Sequence, residues 1–151
     1  MHGLYPIVTG AVAGVATLGA VRKGRNFWQR KQRRHRFDTL VKLYNHHDVI
    51  QVSRQAREHL NLNDACYTYG TVIPESLYEL LQIVKPKADE TFLDIGSGAG
   101  LAVLATKCAY PELSCIGIEK LYSLHQVATE IQNKLRNRTK LDQSRLICGD
   151  F

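Results

Sequence analysis

Three acids and a run of glycines carry the chemistry this sequence can do. Asp94-Ile-Gly96-Ser97-Gly98-Ala-Gly100 sets a carboxylate just ahead of a G-x-G-x-G loop, Glu119 follows 23 residues after Gly96, and Asp150 stands next to last. Glycines allow a sharp turn and close approach of a ligand to the backbone. A loop that opens a helix also offers unpaired N–H groups and a positive dipole end to a carboxylate or phosphate. An acid roughly 20 residues further on is where ribose hydroxyls find an acceptor in dinucleotide-type folds. The set suits a nucleoside-bearing ligand. A bare G-x-G-x-G is a weak signal, but with an acid at each of three successive strand ends it becomes a strong one.

Those positions gain meaning only if regular elements hold them. Pro74 to Val84 reads as a helix with proline in its first turn and Leu77, Leu80, Leu81 and Val84 on one face. Lys85-Pro-Lys-Ala-Asp-Glu90 breaks it. Thr91 to Ile95 is a short apolar run suited to a buried parallel strand, ending in the glycine loop, and LAVLATKCAY after the loop has helical periodicity. Ser114 to Ile118 repeats the strand pattern with Glu119 at its carboxyl end. Residues 121–138 form a helix with Leu124, Val127, Ile131 and Leu135 inside, and Arg145 to Cys148 a third strand before Gly149-Asp150-Phe151. The order helix–β–α–β–α–β predicts an α/β, Rossmann-like domain over residues 67–151, with ligands at the carboxyl edge of a parallel sheet. Residues 37–66 form a helical lead-in, helix-like from Phe37 to about Leu62. Its adjacent His46 and His47 point to different faces of a helix, which favours a solvated pair over a metal site.

D-I-G-S-G-A-G at 94–100, G-I-E-K at 117–120 and G-D-F at 149–151 resemble motifs I, II and III of class I (Rossmann-like) S-adenosylmethionine-dependent methyltransferases. The resemblance implies S-adenosyl-L-methionine as cofactor. It places Asp94, Gly96, Ser97, Gly98 and Gly100 around methionine and ribose, Glu119 on ribose, and Asp150 with Phe151 around adenine. Within that superfamily the sequence is similar to the non-SET histone-lysine methyltransferases, the disruptor-of-telomeric-silencing family. These share the D-x-G-S-G-x-G loop, the G-x-E-K second strand and the G-D-F third. They also carry a Y-G-E-T segment that covers the cofactor, and Tyr69-Gly-Thr-Val72 stands in its place, with Thr71 for the acid and Val72 for the threonine. Tyr69 is thereby a candidate cofactor contact. Membrane-anchored mitochondrial protein-lysine methyltransferases look similar in layout and share D-I-G-S-G. Both groups methylate lysine side chains of proteins, which implies a protein-lysine substrate. The family's substrate-side motif follows the next strand, past Phe151. No catalytic residue is assigned, and the chain is expected to be truncated after motif III; the alternatives are that another polypeptide completes it or that it is a degenerate relic.

Composition narrows the partners. With 44% hydrophobic and 23% charged residues the chain is an ordinary globular sequence. Its net charge of +6 is local: eight of the 20 Lys and Arg lie in residues 22–36, and the other twelve face 14 acids. A basic nucleic-acid-binding face on the domain is therefore not expected. Residues Leu4 to Val21 lack charge, and eighteen residues make ~27 Å of helix, close to a bilayer core of ~30 Å. Residues 1–21 are accordingly expected to be a transmembrane anchor and 22–36 a basic juxtamembrane segment, with Phe27 and Trp28 at headgroup level. This predicts a single-pass membrane protein whose domain lies on the cytoplasmic or equivalent side, the mitochondrial one included. Cys66, Cys108, Cys115 and Cys148 show neither C-x-x-C pairing nor zinc-ligand spacing to histidine, so reduced cysteines and no metal are expected.

Three functions fit these features. The leading one is a methyltransferase acting on protein lysine; the others are a cofactor-binding subunit without catalysis and an NAD- or nucleotide-binding Rossmann domain. Ligand choice separates the first from the third, and further coding sequence the first from the second.

Overall fold

The computed structural model describes residues 27–62 and 69–150. Cys66, Phe151 and the segment 4–21 lie outside them. The chain divides into two compact units, Met1–Arg34 and His35–Phe151. In the first, the described residues 27–34 are helical; Phe27 and Trp28 meet edge to face, and the Lys31 ammonium sits 5.4 Å from the Trp28 ring centre.

Among the described residues eight elements follow in chain order: helix α1 over residues 27–44, α2 Val49–His59, α3 Pro74–Val84, strand β1 Thr91–Ile95, α4 Leu101–Ala109, β2 Ser114–Glu119, α5 Tyr122–Thr139 and β3 Arg145–Cys148. The single lead-in helix expected over 37–62 is two helices. The first ends at Tyr44, and Asp48 caps the second, its side chain accepting from Gln51 N–H at 2.9 Å. Pro74 opens α3, and Lys85 closes it in the left-handed conformation.

The three strands are parallel in the order β1-β2-β3. Each βαβ crossover steps one strand the same way, and right-handed crossovers then put α4 and α5 on the same face of the sheet. Beneath them Phe92, Cys115 and Leu146 pack with Val103 and Leu113. Helix α4 is buried from Val103 to Ala109, and the main core gathers Leu104, Ile131 and Leu135 with Leu40 and Leu43 of α1. Truncating a fully buried leucine such as Leu104 to alanine costs about 2–5 kcal/mol. The opposite face carries Leu93 and Ile95, each 51% exposed, in register with Ile116 and Ile118. Three parallel strands with flanking helices are the α/β, Rossmann-like arrangement the sequence predicts.

The expected transmembrane helix, and with it the single-pass membrane location, is corrected. No described helix is long and apolar enough to cross a membrane. The 4–21 segment behind that expectation lies outside the described residues, and ten of its eighteen residues are Gly, Ala, Thr or Pro. Such residues contribute little transfer free energy, so freedom from charge overstated the drive to insert.

Candidate functional site

Strand β1 ends at Ile95, and the chain turns through Gly96–Gly100 into α4. The Gly96 and Ser97 N–H groups both donate to Ile118 O at 2.9 Å, which locks the turn to β2. Gly98 N–H donates to Glu119 Oε2 at 2.6 Å, and Leu121 N–H to Glu119 Oε1 at 2.7 Å. Glu119 is buried, and each of its oxygens already holds a backbone donor. Gly100 N–H donates to Ser97 O at 2.8 Å.

Two of the glycines serve purposes the spacing alone did not reveal. Gly98 has φ +55°, and a Cβ there would lie 2.5 Å from Cε2 of Tyr69, so its missing side chain makes room for that ring and not for a ligand. A Cβ on Gly100 would lie 3.0 Å from Ala128 Cβ, which makes it the point where α4 approaches α5 more than a helix–strand contact.

Beside the loop lies a cavity of about 160 Å³ lined by Tyr69, Gly70, Thr71, Val72, Asp94, Gly96, Ser97, Leu101 and Ala102. Burial, and then the charge of Glu119, raise the carboxyl of Asp94 above its usual range. Burial likewise pushes the Tyr69 phenol up, against a hydrogen bond from Thr71. Leu101 and Ala102 are the first turn of α4, where N–H groups have no partner inside the helix. The cavity therefore brings a carboxylate that would gain from a neighbouring cation together with a helix start that favours an anion.

Of the residues singled out in the sequence, Tyr69, Asp94, Gly96 and Ser97 converge on this cavity. Gly98 and Glu119 sit behind it as a tied pair, and Gly100 is spent on helix packing. Asp150 is held by Lys120 at 2.7 Å, at the far end of β3; Phe151 lies outside the described residues. Sequence reasoning passed over Leu101 and Ala102, although their place just after the loop marks them as a helix start. It also passed over Tyr44 of α1, whose hydroxyl donates to Ala99 O. No local pattern signals that contact across 55 residues.

Residues 49–146 match the family described as Histone methylation protein DOT1. The chain belongs to the DOT1 family. The DOT1 match takes in the cavity, the glycine loop and Glu119. Over 88 residues the chain is 40% identical to a Drosophila melanogaster histone-lysine N-methyltransferase, H3 lysine-79 specific; this is 55% of the chain and 5% of that protein. Among solved structures it resembles a Plasmodium falciparum protein-L-isoaspartate O-methyltransferase in complex with S-adenosyl-L-homocysteine. That likeness has a TM-score of 0.42 at 15% identity, over 76% of this chain and 62% of the other. A relative named for a histone substrate, together with the lack of a membrane-length helix among the described residues, overturns the membrane location.

Proposed function

We propose that this DOT1-family chain binds S-adenosyl-L-methionine at the cavity beside β1 and serves methyl transfer to a protein lysine. The observation that carries the proposal is the pairing, in one cavity, of the Asp94 carboxylate with the first turn of α4. An amino-acid end bearing both an ammonium and a carboxylate matches that pair. At about 160 Å³ the cavity is smaller than the several hundred Å³ of a drug-sized ligand site, which suits the amino-acid end of the cofactor alone. The nucleoside end then extends along the carboxyl edge toward Glu119 and Asp150.

The bound cofactor supplies an electrophilic methyl group on a sulfonium. The chain's own residues do the holding. Asp94 accepts from the ammonium, the Leu101 and Ala102 N–H groups face the carboxylate, and Tyr69 and Thr71 complete the cavity wall. Glu119 keeps the loop in place through Gly98, and a carboxylate has about four acceptor sites, so two stay available to ribose hydroxyls. The 40% identity to a lysine-79-specific histone enzyme supports lysine as the acceptor.

Calorimetric titration of the full chain with S-adenosyl-L-methionine, S-adenosyl-L-homocysteine and NAD tests the ligand. Saturable binding of the first two with none of NAD is expected; NAD binding alone would sink the proposal. Transfer of labelled methyl groups to core histones, read as methyl-lysine after hydrolysis, tests the acceptor. Label in another amino acid would remove the lysine assignment.

A further inference from the structure

The glycine loop is held from two sides, and the second side comes from outside the segment that matches the family. On one side stands Glu119, through Gly98 N–H. On the other is Tyr44, the last residue of α1, whose hydroxyl donates to Ala99 O. Tyr44 precedes residue 49, where the DOT1 match begins.

Helix α1 reaches α4 at a second point: Arg36 Nε donates to Cys108 O at 3.0 Å. Arg36 and Tyr44 are eight residues apart, ~12 Å along a helix, and their partners Ala99 and Cys108 are a similar distance apart in the opposite sense. The two helices therefore run antiparallel, with Leu40 and Leu43 buried between the polar ends. Helix α1 braces α4 along its length, and its Tyr44 end touches the loop.

That contact falls on one peptide unit. Ala99 O receives the Tyr44 hydroxyl, while the N–H of the same unit, on Gly100, donates to Ser97 O at 2.8 Å. A peptide plane held at both its oxygen and its N–H is restrained against rotation by two hydrogen bonds. The next residues, Leu101 and Ala102, open α4 and line the cavity. Their N–H groups belong to the two peptide units that follow this one, so the course of the chain into α4 starts from that plane.

We infer that Tyr44 is a positioning residue for the cofactor cavity: its hydroxyl orients the Ala99–Gly100 peptide and thereby the first turn of α4. The inference rests on the cofactor reading above for its ligand, but not for the loop geometry. In the full chain, Tyr44→Phe removes only the donor, and Arg36→Gln cuts the brace at the end remote from the loop. Expected for Tyr44→Phe is a roughly ten-fold weaker affinity for S-adenosyl-L-methionine, the worth of about one net hydrogen bond. The backbone amide resonances of Gly100, Leu101 and Ala102 shift with it in the ligand-free protein. Arg36→Gln lowers the melting temperature and leaves affinity within two-fold.

Installing 4-aminophenylalanine at position 44, which keeps a donor, restores both affinity and resonances. Equal affinity losses in Tyr44→Phe and Arg36→Gln would show a merely structural role and overturn the inference, as would unshifted loop resonances. Should Tyr44→Phe fail to fold, the 4-aminophenylalanine protein decides: native loop resonances support the inference and displaced ones overturn it. If the unaltered chain binds no cofactor, the cofactor reading falls, while the resonance shifts still decide the role of Tyr44.

Discussion

Glu119, at the end of β2, accepts the Gly98 N–H of the glycine loop at 2.6 Å and the Leu121 N–H at 2.7 Å. The acid proposed above to meet ribose is thus also the tie that holds the loop and the residue before α5. Glu119→Ala leaves two buried donors unsatisfied and is expected to cost about 2 kcal/mol or more of stability. Glu119→Gln keeps one acceptor, turns an amide NH₂ toward the other donor, and falls between. Denaturant unfolding of the three proteins measures this, and an unchanged midpoint for Glu119→Ala would remove the structural half of the role.

Asp94 gives the site a pH dependence whose sign follows from its raised carboxyl. A carboxyl harder to ionise in the folded chain stabilises the fold below the ordinary aspartate value of about 3.9, and that contribution is lost as pH rises through the raised value. Asp94→Asn should therefore melt higher than the unaltered chain at pH 7, with the gain vanishing below about pH 4. Binding runs the other way. An ammonium needs the ionised form, so affinity for S-adenosyl-L-methionine should fall as pH drops through the raised value, and Asp94→Asn should bind weakly with a flat profile. Parallel binding profiles for the two proteins would contradict the assignment.

At Gly98 two costs combine and can be separated. Gly98→Ala puts a side chain in the left-handed region, roughly 1–2 kcal/mol, and drives its Cβ into the Tyr69 ring. Adding Tyr69→Ala to Gly98→Ala should recover the steric part and leave the backbone part. A double variant no more stable than the sum of the single changes would mean the ring simply swings away.

The cysteines should differ in reactivity. Burial pushes the Cys108 thiol up to about 12 and the Cys115 thiol up to about 11, while Cys148 at the end of β3 is exposed. Iodoacetamide at pH 8 should modify Cys148 in the native chain and spare Cys108 and Cys115 until it is denatured. Peptide mass mapping reads this directly; rapid labelling of Cys108 would mean that α4 opens.

Much of this molecule is local and could be read along the chain. The strands at 91, 114 and 145 are short apolar runs bounded by turn-forming residues, and α3 begins at a proline; such elements depend on a residue's near neighbours. The acids at the strand ends follow from strand length, so the positions of Asp94 and Glu119 at the sheet edge are legible in the sequence. Charge-free length misled at residues 4–21, because it counts missing charges and not apolar surface. The break at residues 45–48 was passed over because apolar spacing continues across it, and only Asp48 marks the cap. What the tertiary structure alone decided is which distant groups meet. Tyr69 fills the space over Gly98, Ala128 faces Gly100, Glu119 turns inward to the loop, and Tyr44 reaches Ala99. Each is a contact between elements whose packing is set by the whole core, and no window of the sequence contains both partners.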